Sequence, residues 1–148
     1  MMPDNDKKLA RFAADAAVCA GLLGIGRTIA LISGALLLIT SSIWIWGHSI
    51  HSTVFFSSAA FALLQGYFAQ RVRFDEVIFN IWATRWKGAA DPDEDLKAFD
   101  IRIGRRKSAA VSVRADLEER THGALQLLRY QALSGSLQLM LTVIALWP

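Results

Sequence analysis

The sequence predicts an all-α integral membrane protein, and three observations support this prediction. Residues 28–70 contain no Asp, Glu, Lys or Arg, and residues 130–148 also lack charged side chains. Hydrophobic residues make up 53% of the 148-residue chain, which is high for a soluble domain of this size. Basic residues cluster beside the apolar runs, as is typical of segments that stay on the cytoplasmic side of a membrane. The predicted fold has an N-terminal small-residue helix, a transmembrane hairpin, a cytoplasmic helical region and a third C-terminal span.

The first region, residues 1–27, is predicted to be a cytoplasmic N-terminus followed by an interfacial or membrane-embedded helix. Its small residues form two stripes at helical spacing: Ala13, Ala17 and Gly21, and Ala16, Ala20 and Gly24. Such stripes allow another helix to approach closely. Two interpretations remain open, a low-bulk helix at the membrane interface and a docking surface for another membrane subunit. The sequence also leaves open whether residues 9–26 continue into the first span.

Residues 28–70 are predicted to form the transmembrane hairpin. A single helix of this length would be about 65 Å long, roughly twice the ~30 Å thickness of the hydrocarbon core. The run must therefore fold back once. The segment Trp46-Gly47-His48-Ser49 combines a helix-ending glycine with polar residues suited to the headgroup region. This turn leaves two spans, residues 28–46 and 50–70.

The second span carries a predicted helix-packing face. Ser58, Ala62 and Gly66 recur every four residues and so share one side of a helix. The simplest interpretation is that this face packs against the first span, through Ala30, Ser33 and Gly34. The alternative is that it docks on another subunit.

Residues 71–129 are predicted to be a cytoplasmic helical region. The second helix continues to about Lys87, because apolar residues keep recurring at intervals of three or four. Asp91-Pro92 predicts the start of a short helix that ends near Gly104, and a further helix begins around Ser112 with Arg120 on its polar side. Contact with a cytoplasmic partner or with anionic lipid is predicted for seven residues: Arg71, Arg73, Trp82, Trp86, Arg105, Arg106 and Lys107.

Residues 130–148 are predicted to form the third span, since 19 uncharged residues just reach across a bilayer. Gln131, Ser134, Ser136 and Gln138 give it a polar edge, which favours cover by protein, and an interfacial helix is the alternative. Residues 71–129 contain 12 basic and 10 acidic side chains. The positive-inside rule therefore predicts a multi-pass protein of the inner membrane with a cytoplasmic N-terminus and an external C-terminus.

The search for reaction chemistry is mostly negative. His48 and His51 lie three residues apart but lack a third ligand nearby, and His122 is more typical of a surface ion pair. Cys19 is the only cysteine and is interpreted as a small buried residue. We expect no catalytic residues, metal or cofactor. A net charge of only +3, concentrated beside apolar spans, also argues against a nucleic-acid partner.

These features favour a non-catalytic structural or accessory subunit of a larger inner-membrane assembly. Its expected partners are the lipid bilayer and other membrane subunits, with anionic lipid and further copies of the chain as additional candidates. The alternative is a self-assembling membrane pore or effector with a cytoplasmic helical gate. A pore would have to be lined by the few hydroxyl and amide side chains of the spans, and this favours the first hypothesis.

Overall fold

A computed structural model of the chain describes residues 4–46, 52–88, 90–104 and 112–146. These residues form four helices and no strand: α1 (Asp4–Trp46), α2 (Ser52–Lys87), α3 (Pro92–Arg102) and α4 (Val113–Leu146). The all-α class is therefore confirmed.

The ends of α3 follow from local sequence, as predicted. The Asp91 Oδ1 atom accepts a hydrogen bond of 3.0 Å from the backbone N–H of Asp93, and Pro92 occupies the first turn, where it loses no helical hydrogen bond. Beyond Arg102, Gly104 adopts a φ of 70°, a left-handed conformation that side chains disfavour. The short helix is thus bounded by a cap and a glycine.

The three long helices continue without interruption across the boundaries of the regions predicted from the sequence. α1 continues from Asp4 to Trp46, so residues 9–26 are continuous with the first predicted span. α2 extends to Lys87, which confirms the single long helix expected there, and the Gly88 N–H bonds to the carbonyls of Thr84 and Arg85 at its end. α4 begins at Val113, and residues 130–146 form its second half.

Buried residues recur every seven positions along each long helix. On α2 they are Ser58, Gln65, Val72, Phe79 and Trp86; on α4, Leu117, Ala124, Gln131 and Gln138; on α1, Cys19, Gly26, Ser33 and Thr40. A seven-residue period keeps the same side of a helix facing its neighbours and is typical of interlocking bundle packing.

Contacts divide the chain into two compact units. Unit 1 comprises Met1–Leu22 and Asp75–Ala124, and unit 2 comprises Leu23–Phe74 and Leu125–Pro148. α3 belongs to unit 1, whereas each long helix contributes residues to both units.

Two helices are long and apolar enough to cross a membrane, α1 from Asp6 to Trp46 and α2 from Ser52 to Lys87. In the most apolar 18-residue stretch of each, only 22% and 11% of the residues are buried. The core helix of a soluble protein would be mostly buried, so this exposure is compatible with a membrane location. Among the described residues α4 does not pass the same test, and the third span stays a prediction.

Candidate functional site

The interior of unit 2 is built on polar contacts between α1 and α4. The Gln138 Nε2 atom donates to the Ser33 carbonyl oxygen at 3.0 Å, and Ser33 Oγ donates to Gln138 Oε1 in return. Seven residues earlier, Gln131 Nε2 donates to the Gly26 carbonyl oxygen at 2.7 Å. Because residues 26 and 33 pair with residues 131 and 138, α1 and α4 run parallel. Together these bonds fix the register of the two helices.

Thr40 and Thr142 extend the same interface by a further step. Their hydroxyl oxygens lie 3.0 Å apart, so that one hydroxyl donates to the other, and each oxygen also lies within hydrogen-bond distance of the carbonyl four positions before it. Both side chains are buried. The α1–α4 contact is therefore a series of neutral hydrogen bonds.

Gly26 is the most closely packed of the described glycines of unit 2 for which added-Cβ contacts are known. A Cβ atom placed there would lie 2.7 Å from Gln131 Oε1 and 2.8 Å from Val72 Cγ1. Any side chain would displace both neighbours, so glycine is what allows the Gln131 amide to reach the Gly26 carbonyl. Gly26 thus belongs to a packing site that the predicted small-residue stripes do not include.

α2 contributes polar side chains to this interior that lack partners. Ser58 and Gln65 are at most 2% exposed, yet Ser58 Oγ and Gln65 Nε2 have no hydrogen-bond partner among the described residues. Val72 approaches Gly26, and the Phe55 ring stacks on Trp44 at 4.6 Å, so α2 runs antiparallel to α1. This register places Gln65 level with Ser33 and Ser58 level with Thr40.

The chemistry available in this interior is limited to hydrogen bonding. In the described part of unit 2, every buried polar side chain is a Ser, Thr or Gln, and none is charged. Such groups hold helices in register. Activating one of these hydroxyls as a nucleophile would require a base, which the buried residues of this described part do not supply.

The interior of unit 1 is centred on Arg120. Its Nη2 atom is bonded to Asp100 Oδ1 and lies 3.2 Å from Asp116 Oδ2. All three side chains are 8–10% exposed. The guanidinium carbon also lies 5.6 Å from the Trp82 ring centroid and 5.2 Å from that of Phe99. One buried cation therefore joins α2, α3 and α4, and the predicted placement of Arg120 on a polar outer side is wrong.

A second contact attaches α3 to α2. The Asp95 Oδ2 atom accepts hydrogen bonds from Trp86 Nε1 at 3.1 Å and from Arg85 Nε at 3.0 Å. Phe99, one turn later on α3, packs edge-on against Trp82, one turn earlier on α2. The two helices are therefore antiparallel, and α3 is held by charged groups at two points.

The predicted surface contacts of unit 1 need one correction. Trp82 and Trp86 are 5% and 1% exposed and stack on each other at 5.7 Å, which leaves neither ring free for lipid or a partner. The recurrence of aromatic residues along α2 reflects this core. Arg71 and Arg73 are exposed, as a contact role requires. Arg105, Arg106 and Lys107 lie outside the described residues.

The predicted helix-packing residues divide between buried and open positions. Ala13, Ala16, Ala20 and Ser58 are buried; Ala17, Gly24 and Ala62 are half-buried; Gly21 and Gly66 are exposed. A Cβ atom at Gly21 or Gly66 would meet nothing within 4 Å. Only some of these small residues therefore pack inside the chain. Docking of another subunit at the exposed glycines stays a prediction.

The predicted partner face on the first span is corrected in part. Ser33 is buried, but its hydrogen bonds go to Gln138 on α4. Gly34 is exposed, and a Cβ atom there would meet nothing within 4 Å. Position 34 is therefore not packed within the chain.

The described residues show an opening in unit 1 but no metal site. The described residues contain no group of three His, Cys, Asp or Glu side chains placed to hold a metal ion. Cys19 is buried and His122 is exposed, while His48 and His51 lie outside the described residues. A shallow opening of about 330 Å³ in unit 1 is lined by Lys8, Leu9, Phe12, Ala90, Asp91, Pro92 and Val113. Its lining combines apolar surface with one side chain of each charge and offers no arrangement for catalysis.

The polar edge of α4 was predicted to be covered by protein, and Gln131, Ser134 and Gln138 are buried, whereas Ser136 is exposed. The burial of Arg120 and Gln65 and the partners of the α4 glutamines were not identified from the sequence. Polar residues seven positions apart mark the interior of unit 2: 33 and 40 on α1, 58 and 65 on α2, 131 and 138 on α4.

Comparison with known proteins gives no match. No protein-family model fits the sequence, and neither a curated protein nor a solved structure shows significant similarity to it. Functional inference therefore rests on the residues and contacts of the chain itself.

Proposed function

We propose that this chain is a non-catalytic structural or accessory subunit of a larger inner-membrane assembly. The observation that best supports this proposal is the contrast between the interior and the exterior of unit 2. The interior contains hydrogen bonds, whereas the exterior is apolar and includes exposed glycines that have open space around them. The buried amides and hydroxyls that join α1 and α4 bond within the chain, and the exposed surface of unit 2 offers mainly apolar and small groups to lipid and other subunits.

The apolar exterior of unit 2 is extensive. Leu31, Leu38 and Leu63 are 72%, 70% and 78% exposed, and many other large apolar residues of the three helices are more than half exposed. Soluble monomers rarely expose so much contiguous apolar surface. Lipid chains and the surfaces of other membrane helices are the environments that accommodate it.

Open glycines on this exterior support docking beyond simple lipid contact. Gly34 and Gly66 are exposed within helices, and a Cβ atom added at either position would meet nothing within 4 Å. A glycine inside a helix costs about 1 kcal/mol relative to alanine, and neither position compensates for this by packing within the chain. Close approach by a helix of another subunit would provide that compensation.

The pore hypothesis receives less support. A ring of copies needs polar side chains facing a shared lumen. Ser33, Thr40, Ser58 and Gln65 are instead buried inside one chain. Ser41 is half-buried, and Ser42 and Ser57 are exposed. An accessory subunit requires no continuous polar stripe.

The proposed orientation can be tested by cysteine labelling. In a Cys19→Ala background, Ser52→Cys at the start of α2 and Ala98→Cys on α3 both place a thiol at an exposed position. Because the basic connections favour the cytoplasm, we expect an impermeant maleimide to label Ser52→Cys on intact cells and Ala98→Cys only after permeabilisation. Labelling in the opposite sense would reverse the orientation.

The docking role can be tested with matched glycine substitutions. Gly66→Leu adds bulk where the chain itself has open space, so folding should be preserved while a partner helix is forced away. We expect co-purification of partners after mild detergent extraction to fall roughly tenfold, since helix contacts in membranes contribute about 1–2 kcal/mol. Gly123→Leu on α4 also enters open space and serves as the control. If both variants retain every partner equally, the Gly66 face is lipid-exposed and the docking role fails.

A further inference from the structure

The C-terminal end of α3 exposes two isoleucines around an arginine. Ile101 is 80% exposed and Ile103 is 51% exposed, and Arg102 between them is exposed as well. Earlier in the same helix, Leu96 and Asp100 are buried in the core of unit 1. The end of α3 therefore carries two exposed branched apolar side chains next to a segment that is fixed in the core.

Other exposed apolar residues of unit 1 lie at the same level. Contact between Phe12 and Trp86 sets the antiparallel register of α1 and α2, which places Val18 level with Ile81. Contact between Phe99 and Trp82 places the end of α3 beside the same part of α2. Val18 is 64% exposed and Ile81 is 51% exposed. Exposed apolar side chains of three helices thus lie at a similar level of unit 1.

The charges along α3 are polarised. Asp93, Glu94 and Asp95 occupy its first turn, whereas Arg102 ends it. Lys97 is already paired with Asp93, whose carboxylate raises the pKa of that lysine, but Arg102 has no ion pair among the described residues. The sequence then continues with Arg105-Arg106-Lys107. The end that exposes the isoleucines is therefore also the basic end.

We propose that Ile101, Arg102 and Ile103 bind the headgroup region of an anionic membrane. The two isoleucine side chains insert beside the upper acyl chains, and the Arg102 guanidinium pairs with lipid phosphate. Charge complementarity favours an anionic membrane as the binding partner. The basic, apolar C-terminal end of α3 is attracted to anionic lipid, whereas the acidic first turn of α3 is repelled by it. The inference rests on the membrane location proposed above and adds a lipid class and a binding segment to it.

The test uses the full chain with a nitroxide label at two positions of α3. Ile103→Cys reports the proposed segment, and Glu94→Cys at the acidic end is the control, both in a Cys19→Ala background. The labelled proteins are reconstituted in phosphatidylcholine vesicles with and without phosphatidylglycerol. Access of lipid-soluble oxygen and of a water-soluble nickel chelate to each label is then measured.

With phosphatidylglycerol, we expect the oxygen-to-nickel access ratio at position 103 to exceed that at position 94 several-fold. Without it the ratio at position 103 should fall. Arg102→Gln should lower about fivefold the ratio of protein whose α3 end is inserted in the membrane to protein whose α3 end is in water. This is the effect of one basic residue near an anionic surface. Equal ratios at the two positions in anionic vesicles would overturn the inference, as would loss of access for both reagents at position 103, which indicates a protein contact.

An alkaline carbonate wash separates this inference from the function on which it rests. If the chain is washed off the vesicles, the membrane location and the lipid-binding segment both fail. If the chain resists the wash and the label at position 103 remains water-exposed, only the lipid-binding segment fails.

Discussion

Unit 1 and unit 2 bury polar groups by different chemistry. In unit 1 the buried cation of Arg120 is paired with Asp100 and Asp116 and covered by aromatic rings. In the described part of unit 2 the buried polar groups are uncharged, and those of α1 and α4 bond to one another. Charges are costly in a hydrocarbon environment and amides much less so, so the difference matches an apolar exterior around unit 2.

The comparison also indicates where stability is concentrated. A buried ion network depends on each partner, because removing one leaves the others buried and uncompensated. Neutral hydrogen bonds between membrane helices contribute about 0.6 kcal/mol each on average. We therefore expect single substitutions to have large effects in unit 1 and graded effects in unit 2.

The largest effect is expected for Arg120→Met. This change removes the cation that Asp100 and Asp116 face and should lower the free energy of unfolding by about 3–5 kcal/mol. Arg114→Met is the control, because the Arg114–Glu118 pair is exposed to solvent and should contribute little to stability. Chemical denaturation in detergent micelles measures both. Similar losses for the two variants would show that unit 1 does not depend on its buried ion network.

An intermediate effect is expected for Gly26→Ala. Its Cβ atom would lie within 3 Å of Gln131 Oε1 and Val72 Cγ1, so the Gln131 amide must move away from the Gly26 carbonyl. We expect a loss of about 1–3 kcal/mol, the usual range for added bulk in a packed interior. Gly34→Ala is the matched control, since it enters open space on the same helix and should be neutral or slightly stabilising. Equal stability of the two variants in the same denaturation assay would contradict the close approach at Gly26.

Local features of the fold were predictable from sequence, and the reason is that they depend on neighbouring residues. Asp91 and Pro92 start α3 through contacts within one turn, and Gly104 follows its end through its own backbone conformation. The extension of α2 to Lys87 follows from a regular apolar spacing. None of these features requires knowledge of which helices pack together.

The interiors were not predictable in the same way, because they depend on residues distant in sequence. Arg120 is buried only because Asp100, twenty positions earlier, and the Trp82 ring are brought to it by the fold. Gln138 is similarly buried because it pairs with Ser33. Residue type alone assigns Arg120 to the surface, and the polar edge of α4 predicted cover by protein for Gln138 without indicating its partner. The seven-residue spacing would have indicated which positions face inward, but not which of them are bonded.

The smallest effects should separate two glutamines of unit 2. Gln138 makes two hydrogen bonds with Ser33, whereas Gln65 Nε2 has no partner among the described residues. Gln138→Leu leaves Ser33 without its partner and should cost about 1 kcal/mol. Gln65→Leu removes a buried donor that no described group satisfies, and it should be neutral or stabilising.

This pair of substitutions tests whether unit 2 is stabilised by its hydrogen bonds or by apolar packing alone. Both variants replace a buried glutamine by leucine at the same level of the bundle, so changes in volume and apolar area are closely matched. A difference in unfolding free energy therefore reports the hydrogen bonds to Ser33. If Gln65→Leu is the more damaging change, Gln65 has an essential partner such as an ordered water, and α2 is fixed by the same kind of polar contact as α1 and α4.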